Sequence, residues 1–183
     1  MTARMTPQDI LAFWFSESAG KWFKKSAAFD ALIRERFLGT YEKAVRGETA
    51  AWRETPPGRL AEIIVLDQFS RNLYRDSAKA FENDAHALAL AQEAVRIGAD
   101  RALTGVQRQF LYMPYMHSES REAHQRALRL FLSLPIWCWG SLFFELRHKA
   151  IIDRFGRYPH RNEVLRRAST PEERNFLKTH KGF

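Results

Sequence analysis

Apolar residues in this chain recur at steps of three and four from end to end, the period of helices with one buried face. Thr6-Pro7 opens the first, with Thr6 as N-cap and Pro7 at the first helical position. Ile10, Leu11, Trp14 and Phe15 form its buried face, and Gly20 closes it. Ser26 caps a longer helix carrying Phe29, Leu32, Ile33, Phe37 and Tyr41, which stops near Gly47. Thr55-Pro56-Pro57-Gly58 stops the chain and restarts it. Leu60, Ile63, Ile64, Leu66 and Phe69 then predict an apolar helix with an abruptly polar tail, Asp67 to Arg75.

A turn at Asp76-Ser77 leads into Ala78 to Ile97, an Ala/Leu-rich element closed by Gly98, with a break indicated at Asn83-Asp84. Thr104 caps a short helix, Val106 to Met113, which Pro114 is expected to end. Ser118 is expected to cap the next, carrying Leu128, Leu130, Phe131 and Leu134. Pro135 begins an element that runs to Phe155. The uncharged run Leu130 to Phe144 is too short to span a bilayer, so Trp137 to Ile152 and Leu60 to Phe69 are expected to be the central buried helices. Two short pieces follow, Arg161 to Arg167 and a helix opened by Thr170-Pro171-Glu172-Glu173. Sustained alternation and hairpin turns are missing. The pattern predicts one all-α domain over residues 1–183 with eight to ten helices, either an α-α superhelix or an irregular bundle.

Composition adds limits. An apolar share of 45% with 27% charged is that of a globular chain able to bury one continuous core. The net charge of +8 suits anionic partners, although the basic residues are dispersed and no nucleic-acid recognition module is visible. Membrane and nucleic-acid partners are therefore not expected; oligomeric state stays open. The single cysteine, Cys138, rules out a disulfide within the chain and reads as a buried thiol. The opening MTARMTPQDI lacks the apolar core of a signal peptide, so a cytoplasmic location is expected.

Four constellations could carry chemistry. Asp67, Arg71 and Arg75 are spaced by four on the apolar helix, with Gln68 and Asn72 beside them. They form either a surface charge ladder or a carboxylate and amide aimed into a cleft. Arg108 and Tyr112 precede His117, Ser118 and Glu119. Ser118 reads as a cap and not a nucleophile, since no G-x-S-x-G elbow accompanies it, while His117 could act as acid, base or ligand contact. Glu145 and His148 form a lone E-x-x-H. A di-iron bundle needs two such motifs and further glutamates, so neither a metal nor a cofactor is expected. Arg154, Arg157, His160, Arg161 and Asn162, with Arg166 and Arg167 beyond, surround Gly156 and Pro159. This turn reads as the wall of a polar site for phosphate or carboxylate, or as a tie holding the last helices.

These residues carry a resemblance. Phe13-Trp14-Phe15, Leu66-Asp67-Gln68-Phe69-Ser70-Arg71-Asn72, Ala80-Phe81-Glu82-Asn83-Asp84, Arg108-Gln109-Phe110-Leu111-Tyr112-Met113-Pro114, His117-Ser118-Glu119, Phe155-Gly156-Arg157-Tyr158-Pro159-His160-Arg161-Asn162 and Ser169-Thr170-Pro171-Glu172-Glu173 stand in order almost along the whole chain. The chain resembles a bacterial family of uncharacterised helical proteins, domain of unknown function 924. The resemblance implies a tetratricopeptide-like superhelix and brings no activity, substrate or cofactor. Leu165-Arg166-Arg167 stands where the family pattern has Leu-Gly-Arg, so the turn before Ser169 is expected to differ.

The expected function is a helical binding module whose polar cleft holds an anionic small molecule or peptide. Its candidate ligand-binding residues are Asp67, Gln68, Arg71, Asn72, Arg108, Tyr112, His117, Glu119, His148, Arg157, His160, Arg161 and Asn162. Two alternatives stand beside it. One is a metal-independent, hydrolase-like enzyme using His117 or His160 with Asp67 or Glu119 as acid and base. The other is a structural polar core with no ligand. Asp67, Arg71, His117, Arg157 and His160 are expected to converge.

Overall fold

The computed structural model describes residues 5–180 and 182, so Met1 to Arg4, part of the segment read for a leader, lie outside it. Thr6 caps α1 (Pro7–Ala12) through a reciprocal pair with Asp9, and the chain continues into one π-helical turn, Phe13–Glu17. Helix α2 (Ala27–Val45) starts at Ser26 as expected and leaves through Gly47, which takes a positive φ of 76°. Helix α3 (Pro56–Ile64) runs through a π turn, Val65–Phe69, into Ser70–Leu73 as one rod. A 3-10 turn, Ala78–Phe81, precedes α4 (Asp84–Arg96), so the Ala/Leu-rich element is broken where Asn83-Asp84 indicated.

Helix α5 (Gly105–His117) does not end at Pro114. A proline inside a helix loses one backbone bond and crowds the preceding turn. Here Phe110 to Met116 are all buried, so packing outweighs the lost bond and the helix gains a further turn. In consequence Ser118 is the C-cap of α5, and Ser120 is the N-cap of α6 (Arg121–Leu132). A short 3-10 turn, Ile136–Cys138, leads into α7 (Trp139–Phe155). Arg161 to Arg167 is not a helix: a 3-10 turn, Pro159–Arg161, passes into irregular turns. Helix α8 (Pro171–Leu177) begins at Thr170 with the expected capping box to Glu173. The described residues thus form an all-α protein of eight helical rods without strands.

Helix α3 is the centre of the bundle. It packs against α1, α2, α4 and α5, and Leu60 to Phe69 are wholly buried. Further along the chain α5 packs on α6 and α6 on α7. The second expected central helix is overturned. Cys138, Ser141, Glu145, His148 and Ile152 of that stretch face inward, whereas Trp137, Trp139, Phe143, Phe144 and Leu146 face solvent. A lack of charge suggests burial, but apolar composition alone does not say whether a second layer covers the outer face. A small separate cluster of Ile151, Ile152, Tyr158, Phe155 and Phe176 holds the C-terminal turn and α8 onto α7.

Candidate functional site

The polar cluster forms where the C-terminal half of α3 meets the ends of α4 and α5. The π turn Val65–Phe69 carries one extra residue per turn, and all five of its residues are buried, Asp67 and Gln68 included. Asp67 has no exposed surface. His117, the last residue of α5, places Nδ1 2.7 Å from Asp67 Oδ1. Had α5 stopped at Pro114, His117 would stand in a loop instead. Arg71 lies 3.1 Å from the same carboxylate oxygen and donates to the Asp67 backbone carbonyl at 2.6 Å. Gln68 Nε2 donates to Asp67 Oδ2 at 2.5 Å.

A second carboxylate completes the network. Asp84, the first residue of α4, accepts from Arg71 Nη2 at 2.9 and 3.1 Å and from Arg161 Nη1 at 2.9 Å. Its position in the first turn also sets it against the positive end of the helix dipole. Arg161 Nη2 donates to the His117 carbonyl at 3.0 Å. The Arg161 guanidinium sits between the Phe81 and Tyr158 rings, at 4.3 and 4.6 Å from their centres. Two arginines thus face two carboxylates, with His117 between them.

Electrostatics follow from this packing. Burial alone would raise the pKa of Asp67, but Arg71 and then His117 hold it below the usual carboxylate range. Burial, then Arg71, pushes His117 below its ordinary value against the pull of Asp67. A carboxylate can only accept, so His117 carries its proton on Nδ1 and leaves Nε2 with a lone pair.

Other candidates serve different contacts. Asn72 and Arg75 both bind Asp30 of α2, at 2.7 to 2.8 Å, so Arg75 does not extend a ladder from Asp67. Arg108 donates to the Tyr112 hydroxyl, which donates to Asp100 Oδ2 at 2.6 Å. Glu119 accepts the Tyr158 backbone N–H at 2.8 Å and is gripped by both terminal nitrogens of Arg167. Arg157 binds Glu173 through two bonds of 2.7 and 2.8 Å, and Asn162 bonds Ser169 and Glu173.

The expected convergence therefore holds for Asp67, Arg71 and His117, joined by Gln68 and Arg161, and not for Arg157. That residue is a tie between the turn and α8. His160 lies against the Tyr158 ring at 5.4 Å. Both side chains of the E-x-x-H have partners outside it. Glu145 Oε1 is 2.8 Å from His124 Nδ1, while His148 Nδ1 donates to the Phe144 carbonyl at 2.8 Å. Among the described residues no three His, Cys, Asp or Glu side chains are grouped to hold a metal ion.

Asp84, Asp30, Asp100, His124 and Glu173 were not among the candidate site residues, although Asp84 and Glu173 marked helix starts. Asp84 had one available signal, an acidic residue in the first turn of a helix. The other partners come from distant segments, for which local spacing holds no information.

A family described as bacterial protein of unknown function (DUF924) matches residues 10–181. The chain belongs to this family. Its architecture is shared by the structure of a protein of unknown function, ATU0120, from Agrobacterium tumefaciens, at 40% identity and a TM-score of 0.89. The match covers 95% of this chain and 97% of that one. Among curated proteins none matches. Arg166 adopts a left-handed φ of 55°, and Arg167 N–H reaches back to the Asn162 carbonyl at 2.7 Å. These are the bonds of a turn that usually places glycine at this position.

Proposed function

We propose that the protein is a binding module, with helix pairs in a tetratricopeptide-like arrangement, that takes an anionic small molecule or peptide at the corner formed by Arg161 and His117. The observation carrying this reading is Arg161 Nε, which is buried without an acceptor although both terminal nitrogens are engaged. A buried guanidinium N–H left unbonded costs about 1–3 kcal/mol, a deficit that a ligand oxygen would remove. Phe81, half-buried against the guanidinium, is the wall that moves to admit it. Arg71, Arg157 and Arg167 are held by Asp84, Glu173 and Glu119, and an anion would reach them only by displacing a carboxylate.

His117 makes binding depend on pH. Neutral, it offers a lone pair at Nε2; protonated, it offers a donor and tips the balanced network to net positive charge. Anion binding therefore draws a proton onto His117, whose pKa burial and Arg71 hold below its ordinary value, and affinity rises as pH falls below about 6.5. Histidine-ring NMR with acetate, inorganic phosphate and an acidic peptide tests this. Saturable shifts at His117 that tighten at low pH and vanish in Arg161→Lys are expected. Absence of any response to the three probes, or an undiminished one in Arg161→Lys, overturns the reading.

The Asp67–His117 pairing favours a second reading. A buried carboxylate on Nδ1 orients an imidazole as a general base, as in hydrolytic sites that activate water. Turnover of simple ester substrates that disappears in His117→Gln would support catalysis over binding alone.

A further inference from the structure

The outer surface of α7 and the turn before it carry an unusual load of apolar area. Trp137 is 81% exposed, Ile136 72% and Phe143 60%, and Leu132, Trp139, Phe144 and Leu146 are each about half exposed. Ile136, Trp137, Trp139, Phe143, Phe144 and Leu146 belong to one surface because they occupy the outward positions of the 3-10 turn and of α7, opposite the inward Cys138, Ser141, Glu145 and His148, while Leu132 is the last residue of α6. The segment Leu130 to Phe144 contains no charged residue. Isolated exposed apolar side chains are ordinary in a monomer, but a contiguous patch of large ones marks a surface that is covered.

We infer that this face of α7 is the contact by which two copies of the chain associate. Large side chains carry up to about 150–250 Å² each, so the exposed parts of these residues amount to roughly 800 Å² per copy. That is about the share one partner gives to a standard-size interface of about 1,600 Å². A self-complementary helix face serves both copies under a two-fold axis, which requires no further surface. Gly140, on the same outward side, allows close approach, since a Cβ there would meet nothing within 4 Å.

A lipid surface fits less well. Interfacial helices hold anionic headgroups with basic residues along the polar edge. On α7, Lys149 is bound to Asp153 at 2.5 Å and Arg154 to Glu172 at 2.8 Å, and Arg147 lies over the Phe143 ring at 5.9 Å, so two of the three Lys and Arg side chains are already compensated. This inference is independent of the Arg161–His117 reading, because Trp137, Gly140 and Phe143 make no part of that network.

Sedimentation velocity over a wide concentration range tests it. The full chain is expected to reach twice 21.4 kDa, with Trp137 and Trp139 fluorescence shifting to the blue as association proceeds. Phe143→Glu and Gly140→Arg are both expected to return the monomer mass with unchanged far-UV circular dichroism. Gly140→Arg points into open space in the single chain, which separates loss of association from loss of folding. A monomer at all concentrations overturns the inference, as does a dimer that survives both substitutions. A monomer that co-sediments with phosphatidylglycerol vesicles would assign the face to a membrane surface and overturn it too.

Discussion

His117 and Asp67, separated by 50 positions in the chain, share one hydrogen bond of 2.7 Å inside the protein. The carboxylate has no exposed surface, and Arg71 from its own helix holds it from the other side. This arrangement joins the central helix α3 to the end of α5, and several consequences can be measured.

Asp67→Asn removes the charge that compensates Arg71 and His117 while keeping the side-chain volume. Breaking one partner of a buried pair leaves the other uncompensated, and the expected loss is about 3 kcal/mol in urea unfolding. Asp84 still neutralises Arg71, so folding itself survives. A loss below about 0.5 kcal/mol, the range of ordinary surface substitutions, would mean that the pair contributes nothing to stability.

Arg157→Ala addresses the C-terminal turn. Arg157 holds the pKa of Glu173 down to about 2, with help from the Thr170 backbone N–H. Because this pKa is depressed in the folded state, the stabilisation is present above the unfolded value and disappears as pH falls through the folded one. The variant should melt earlier than the parent at neutral pH, with the difference narrowing below about pH 4.3. Ligand shifts at His117 should be unaffected, since Arg157 stands outside that cluster. Equal melting curves at pH 7 would contradict the role as a tie.

Acid should weaken the fold through two histidines. Burial, followed by the charge of Arg161, lowers His160 to about 4, and burial lowers His148 to about 3. Their unfolded pKa is about 6.5, so the unfolded chain takes up protons first and stability falls as pH drops below that value. In His160→Gln the decline between about pH 6.5 and 4 is expected to be shallower than in the parent. A parallel decline in both proteins would remove His160 from the account.

Arg166→Gly is expected to stabilise the protein. A non-glycine residue in the left-handed region costs about 1–2 kcal/mol, and Arg166 occupies it at φ 55°. Glycine relieves that strain but loses more chain entropy on folding, which leaves a gain of about 0.5–1 kcal/mol. Calorimetry reads this as a higher Tm, and a lower one would show that the Arg166 side chain contributes more than the backbone strain removes.

Most helix starts were legible from local chemistry. Thr6, Ser26, Thr55, Thr104 and Thr170 each accept the backbone N–H three residues on, because a short side-chain oxygen satisfies an open helix terminus wherever it stands. The burial of Leu60 to Phe69 followed from an apolar run that covers more than one side of a helix. Asp67 and Arg71 could be paired from their spacing alone.

Tertiary packing decided the rest. Pro114 stays within α5 because its neighbours are buried on all sides, and that added turn is what brings His117 to Asp67. Arg157 and Arg161 stand four apart in one polar turn, yet one binds Glu173 and the other Asp84, 77 positions away. Their charge and turn geometry are written locally, but their partners depend on which distant carboxylate the fold carries to them. The same holds for Trp137 and Phe143. Their apolar chemistry is fixed by the sequence, while their exposure depends on where the last layer of helices ends, since a hydrophobic residue is buried only if another surface is there to cover it.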